Sequence, residues 1–163
     1  MGRWRAPQKP GSAYITAAGF DQLQRELDAL WVRRREVVKA LAAAAAEGDR
    51  SENAEYIYRK KELGGLDYRI RYLQKRLPNL TIVRSDARRS GIYFGATVTV
   101  EDDAGGTALY TIVGPDETDA GKGRISIDSP LARALLGKNI DDEVERPDKR
   151  LLTIIAIDYA ALD

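Results

Sequence analysis

The sequence predicts an α+β protein, in which an N-terminal antiparallel α-helical coiled-coil hairpin precedes a C-terminal small α+β domain. Before Pro78, two long stretches repeat apolar residues at steps of three and four, which is typical of helices with one buried face. After Pro78 the period changes to two, which is typical of β-strands. These patterns divide the chain into a flexible tail over residues 1–13, a hairpin over 14–78 and a second domain over 79–163.

The first helix is predicted to start after Thr16, a residue type that caps helix N-termini, and to stop at Gly48, which tolerates the left-handed conformation of a helix end. The run Ala42–Ala46 precedes this glycine. One interpretation is that the run reflects only the high helix propensity of alanine. The alternative is that these small side chains keep the distal end of the hairpin narrow, so that it can enter a narrow opening. The residues of the predicted seam are Phe20, Leu23, Leu27, Leu30, Val37 and Leu41, with Arg34 at one expected apolar position.

The second helix is predicted to end at Pro78, which cannot continue it. Only a short turn separates the two helices, so they must pack antiparallel. A hairpin of this length would extend about 40 Å at 1.5 Å per residue. Gly64 and Gly65 fall inside the second helix, where they would permit either a bend or a close approach of the first helix. The residues of its seam are Tyr56, Leu63, Leu66, Ile70, Leu73 and Leu77.

The second domain is predicted to contain about four strands and one short helix. Strands are expected over 93–100 and 107–113, joined by a turn over 101–106, with further strands over 125–127 and 151–157.

The short helix of this domain would start at Ser129 as its N-cap, with Pro130 in the first turn, and would close at Gly137. No Gly-rich phosphate loop, paired base or metal-ligand spacing occurs in the domain, so it is expected to serve docking rather than catalysis.

The composition restricts the available chemistry. The chain has no cysteine and no histidine, which excludes disulfides, thiolate catalysis and the commonest general base. It has no apolar run of about 18 residues and no signal-peptide segment, so we expect a cytoplasmic protein without a membrane partner. We also expect a monomer when free.

The net charge of +1 hides a strong division. Residues 1–78 carry 16 Lys and Arg against 10 Asp and Glu, whereas residues 79–163 carry 10 against 15. A basic hairpin suits a polyanion such as nucleic acid, and an acidic second domain suits a protein partner. The competing interpretation is that these charges only solvate the surface of a coiled coil.

Asp49 and Glu52 place two carboxylates in the turn between the helices. Their spacing is that of a capping box, in which Asp49 caps the second helix and Glu52 reaches back to it. The same pair could bind Mg²⁺, which prefers oxygen ligands and usually takes one or two protein carboxylates. Two carboxylates make a weak site by themselves but could complete a site in which a partner already holds one ion.

Cations and aromatic side chains surround the turn. Cations follow phosphates and aromatic rings stack on unpaired bases, so these residues are candidates for RNA binding. A solvated helix face remains the alternative, because neighbouring residues on a helix point in different directions. The candidate RNA-binding residues are Arg50, Tyr56, Arg59, Lys60 and Lys61.

With both modules in view, the sequence resembles the bacterial Gre transcript-cleavage factors of RNA polymerase, of the GreB-like type, over nearly its whole length. The resemblance rests on three segments: 14–20 at the first helix, the tip motif 48–56, and 125–138 in the second domain. Arg50 and the cluster 58–61 favour the GreB-like type. One departure is Asp141-Asp142, where family members commonly carry Gly-Asp.

The resemblance implies a function. Such factors dock through an FKBP-like C-terminal domain, here with Asp128, Ser129 and Pro130 at the contact, and insert the coiled coil into the polymerase secondary channel. Asp49 and Glu52 would then share a Mg²⁺ ion with the polymerase, with no cofactor bound by the free protein. The polymerase, rather than this chain, would be the enzyme that cleaves the RNA 3′ end in backtracked complexes.

Two other functions would use the same scaffold. A non-cleaving regulator would occupy the secondary channel and inhibit the polymerase. A self-sufficient Mg²⁺ nuclease is disfavoured because two carboxylates supply too few ligands.

Overall fold

The computed structural model describes residues 11–48, 53–84 and 90–160. These fall into two compact units. One comprises residues 18–80, and the other combines the described parts of 1–17 and 81–163.

The first unit consists of two long helices, α1 (Ala17–Ala46) and α2 (Ala54–Arg76), followed by a short 3₁₀ turn at Leu77–Asn79. Both helices match the predicted ones, and Pro78 lies in the turn that follows α2. Most predicted seam residues are buried or half-buried, which confirms the apolar stripe. The most deeply buried residues along the two helices are Leu23, Val37, Ala44, Ile70 and Leu73.

Cross-helix ion pairs show that the helices run antiparallel. Glu26 on α1 contacts Arg69 on α2 at 2.7 Å, and Arg33 contacts Glu62 at 2.6 Å. Partner positions on α2 therefore fall as positions on α1 rise, as antiparallel packing requires. Arg34, at the expected apolar position, pairs with Asp67 at 2.6 Å. The seam thus contains an ion pair where a heptad would otherwise carry an apolar side chain.

Gly64 and Gly65 lie within an uninterrupted α2. A Cβ built at either position meets no other part of the described chain within 4 Å, the helix's own nearby backbone aside. A close approach of α1 is therefore not the reason for these glycines. Both positions face open space.

The second unit is built on a five-stranded sheet. Its strands are β3 (Ala96–Asp102), β4 (Thr107–Val113), β5 (Arg124–Ser126), β6 (Glu143–Glu145) and β7 (Leu151–Tyr159). They lie in the order β5-β4-β3-β7-β6, and neighbouring strands run antiparallel, except that β4 and β5 are parallel. Together with the helices this confirms the α+β class.

One core fills this unit, between the sheet and the short helix α3 (Pro130–Leu135). Alternate residues of β3 point into the core, because side chains alternate across a strand. Ala132 and Leu135 of α3 close it from the other side. The remaining buried core residues come from neighbouring strands and the segment before β3: Ile92, Ile112, Val144, Leu152 and Ile154.

The predicted strand set is incomplete. The prediction of about four strands missed β6, which has three residues and a single buried side chain, Val144. The strand expected over 93–100 begins only at Ala96, because Gly95 adopts a φ of 85° in the turn before it.

Two further short strands lie outside the five-stranded sheet. β1 (Tyr14–Ile15) pairs in parallel with β2 (Thr81–Ile82). This pairing places residues 14–17 in the second unit, although the sequence patterns assign them to the hairpin. Likewise, Ser12 and Ala13 of the predicted tail bond to Asp128 and Thr81 respectively. Both differences arise from contacts with residues that are distant in the chain, and such contacts leave little local signal in the sequence.

Residues 139–142 form a turn in which Asp141 has a φ of 73°. The sheet fixes this conformation, since the Asp141 N–H donates to the carbonyl of Ile154 at 2.8 Å. The departure from Gly-Asp therefore places a residue other than glycine, Asp141, in the left-handed conformation. No helix in the described parts of the chain has the length and apolar character to cross a membrane.

Candidate functional site

The candidate site is the distal end of the hairpin, where α1 ends and α2 begins. Gly48 has a φ of 138° just after α1, as predicted for a helix-ending glycine. Asp49, Arg50 and Glu52 lie outside the described residues, so their proposed roles stay predictions. The described residues on either side define how the turn is held.

Asn53 is the N-cap of α2, and its Oδ1 accepts a hydrogen bond from the Tyr56 N–H at 3.0 Å. The predicted capping box would instead make Asp49 the cap. That interpretation is wrong for α2, because the helix starts at Ala54 and its cap position is occupied. Sequence reasoning missed Asn53 because Asp and Asn are both good caps, and choosing between them requires the exact helix start.

Arg59 is engaged within the hairpin. Its guanidinium contacts Glu55 at 2.7 Å and Glu62 at 3.0 Å, and Glu62 also binds Arg33 of α1. Hydrogen bonds, first from Arg33 and then from Arg59, hold the pKa of Glu62 below its usual range. Hydrogen bonds to Glu55 and Glu62 raise the pKa of Arg59 in turn. The charge of Arg59 is thus largely compensated by its neighbours.

Lys60 and Lys61, by contrast, are exposed on α2. Tyr56 is half-buried, whereas the neighbouring Tyr58 is 60% exposed, with the Arg59 guanidinium 5.4 Å from its ring centroid. An exposed ring can stack on a base without unpacking the hairpin. Exposure therefore favours Tyr58 as the aromatic contact in this region, a feature that spacing along the sequence could not resolve.

The three predicted docking residues lie together at the start of α3. The Ser129 hydroxyl caps the helix by accepting a hydrogen bond from the Ala132 N–H at 3.2 Å, and Pro130 occupies the first turn. Asp128 accepts hydrogen bonds from the backbone N–H of Ser12 at 2.8 Å and from the Ser12 hydroxyl. Of the three, Asp128 and Ser129 are half-buried and Pro130 is exposed. Each residue therefore has a structural role whether or not it contacts a partner.

Across 11–48, 53–84 and 90–160, no three acidic side chains come together closely enough to hold an ion. The predicted pair for Mg²⁺, Asp49 and Glu52, is outside these ranges.

Comparison with known proteins gives matches over both units. The chain matches the family descriptions "Transcription elongation factor, N-terminal" over residues 13–82 and "Transcription elongation factor, GreA/GreB, C-term" over residues 87–159. It is 56% identical to transcription elongation factor GreB of Xanthomonas axonopodis pv. citri, with 99% of this chain and 100% of the relative covered. It is 51% identical to GreB of Pseudomonas aeruginosa, with 98% of each chain covered.

Among solved structures, the chain is similar to the GreA factor homolog Gfh1 of Thermus thermophilus at 26% identity and a TM-score of 0.42, covering 89% of this chain and 97% of that one. The two regions that match the family together span most of the sequence. The two GreB relatives are matched along essentially their full length. The chain therefore belongs to the GreA/GreB family of transcription elongation factors.

Proposed function

We propose that this protein stimulates RNA polymerase to cleave the 3′ end of RNA in backtracked complexes, by inserting its hairpin into the secondary channel. The observation that carries the proposal is the cap of α2. Asn53 fills that position, so capping of this helix does not account for the two acids of the tip motif. Family membership and the GreB relatives support the same function.

In this proposal Asp49 and Glu52 act within the polymerase active site. Two carboxylates supply hard oxygen ligands of the kind that Mg²⁺ prefers, but too few for a free-standing site. A Mg²⁺ ion shared with the polymerase would supply charge stabilisation for phosphodiester hydrolysis. The two side chains would bind that ion and orient the attacking water. The chain would therefore be an accessory factor, with hydrolysis carried out by the polymerase.

The RNA would be contacted from α2. Lys60 and Lys61 are exposed cations that can bind the phosphates. The exposed Tyr58 beside them can stack on a base. Arg50 and Tyr56 belong to the same proposed contact. Arg59 is already paired with Glu55 and Glu62, and would instead stabilise α2.

The second unit would dock on the polymerase surface through residues at the start of α3. Pro130 is exposed there, with Asp128 and Ser129 directly before it. Ser129 fixes the first turn of the helix, so the exposed Pro130 is presented on a rigid element.

The decisive experiment measures RNA cleavage in a stalled, backtracked elongation complex with and without the protein. Asp49→Ala and Glu52→Ala should each abolish stimulated cleavage while binding to polymerase is retained. Asp28→Ala is the matched control, because Asp28 is an exposed carboxylate on the same hairpin, about 27 Å from the end of α1 at 1.5 Å per residue. This control should cleave like the unchanged protein.

Each alternative gives a different result. Slower transcription without shortened RNA would contradict the proposal and identify a non-cleaving channel regulator. Cleavage of free RNA by the protein and Mg²⁺, without polymerase, would identify a nuclease. Full activity of both tip variants would show that the acidic pair has no role.

A further inference from the structure

The side chain of Asn53 connects the two helices of the hairpin. Its Oδ1 accepts from the Tyr56 N–H of α2 at 3.0 Å, while its Nδ2 donates to the carbonyl oxygen of Ala44 at 2.8 Å. Ala44 is buried in the last turn of α1, and its carbonyl oxygen also accepts a hydrogen bond from the Glu47 N–H at 3.2 Å. The one amide group of Asn53 therefore bonds to both helices.

The donor half of this arrangement is not needed for capping. Aspartate and serine cap helices as well as asparagine does, because a cap requires only an acceptor for a backbone N–H. An aspartate at this position could not donate to a carbonyl. The bond to Ala44 therefore gives the amide a second task, which is to link α2 to α1.

This link closes a short segment of the chain. Between Ala44 and Asn53 lie the eight residues 45–52, which include Asp49 and Glu52. Fixing the two ends of a segment at hydrogen-bonding distance reduces the number of conformations open to it. Groups held in fewer arrangements reach a productive geometry more often, which raises the rate of the step that they assist.

We propose that Asn53 is a positioning residue for transcript cleavage, because its amide joins α1 to α2 and so limits the arrangements of the acidic pair. The inference rests on the proposed function. It assigns no contact between Asn53 and RNA, metal or polymerase.

Three variants separate the link from the cap. Asn53→Ser is neutral and keeps a capping acceptor, but its side chain is too short to reach Ala44 as well. Asn53→Asp keeps the size and the acceptor but loses the donor, so agreement between the two variants excludes an effect of the added charge. Asn79→Ser is the matched control, because the Asn79 Nδ2 donates to the Lys75 carbonyl at 2.9 Å near the other end of α2.

In the backtracked-complex assay, both Asn53 variants should lower the maximal cleavage rate roughly tenfold, and the protein concentration for half-maximal stimulation should not change. Asn79→Ser should behave like the unchanged protein. A purely structural role would reduce stability or binding without lowering the rate at saturation. A wild-type maximal rate in both Asn53 variants would overturn the proposal, as would a change in the half-maximal concentration alone.

Backbone ¹⁵N relaxation of the free protein tests the link without polymerase. Residues 45–52 should show lower order parameters in Asn53→Ser and Asn53→Asp than in the unchanged chain and in Asn79→Ser. Equal order parameters would refute the link itself. If the unchanged protein stimulates no cleavage, the proposed function and the positioning role fail together, and relaxation still decides whether the amide closes the segment.

Discussion

The carboxylate of Glu117 accepts hydrogen bonds from both the backbone N–H and the hydroxyl of Thr16, a residue 101 positions earlier in the chain. The N–H bond measures 2.8 Å, and the same carboxylate accepts from the Gly114 N–H at 3.0 Å. Thr16 directly precedes α1 and follows β1. Glu117 therefore secures the point where the N-terminal strand leads into the hairpin.

Replacing Glu117 by alanine should destabilise the unit that contains it by about 2–3 kcal/mol, because three donors lose a charged acceptor in a half-buried site. Urea unfolding followed by the signal of the β-sheet measures the change. Asp103→Ala is the control, because Asp103 is an exposed carboxylate in the β3–β4 turn, and it should stay within about 0.5 kcal/mol of the unchanged protein. A similar small effect for Glu117→Ala would show that the N-terminal strand is held without it.

Replacing Gly64 or Gly65 by alanine should stabilise the hairpin by about 1 kcal/mol each, because alanine has the higher helix propensity and the added methyl group meets open space. Thermal unfolding followed by circular dichroism at 222 nm measures this gain.

Gly114→Ala is the opposite case for the same substitution. A Cβ at Gly114 would overlap the carbonyl oxygen of Tyr14, so this variant should destabilise the packing of β1 against Gly114.

For the two glycines of α2, a loss of helix stability on substituting Gly64 or Gly65 would contradict the finding that these positions face open space.

Asp141→Gly should stabilise the second unit by up to about 1 kcal/mol, because Asp141 has a φ of 73° and glycine adopts that conformation without steric cost. Chemical denaturation compares the variants. Asp142→Gly should have the opposite sign, since the Asp142 carboxylate accepts from the Asn139 N–H at 2.8 Å. Equal destabilisation by both changes would mean that the Asp141 side chain has a stabilising role of its own.

The link through Glu62 should make hairpin stability depend on pH. Its pKa is lowered in the folded protein by Arg33 and Arg59, so its contribution is present above the ordinary glutamate pKa and is lost as the pH falls below about 4. Thermal unfolding between pH 7 and pH 3, at low and high salt, measures the effect, which salt should weaken.

Glu62→Gln should reduce the fall in stability at acid pH, whereas Asp28→Asn should leave it in place. An unchanged pH profile in Glu62→Gln would assign the acid sensitivity to other carboxylates.

Local sequence patterns determined the hairpin and the class of the second domain. The steps of three and four from Phe20 to Leu41 placed the seam of α1, and Gly48 and Pro78 marked helix ends, because these signals act between residues close in the chain. Ser129 and Pro130 identified the start of α3 for the same reason. The tip motif over 48–56 and the segment over 125–138, which contains Ser129 and Pro130, also indicated the family to which the chain belongs.

The tertiary structure decided what depends on distant residues. β1 pairs with β2 across more than sixty residues, and Thr16 meets Glu117, so neither contact leaves a periodic signal. The tertiary structure also showed that Asn53, rather than Asp49, caps α2. It further showed that Arg59 is paired, whereas Lys60 and Lys61 are exposed. Spacing along a helix shows which residues share a face, but whether a charge is compensated depends on the atoms that packing brings beside it.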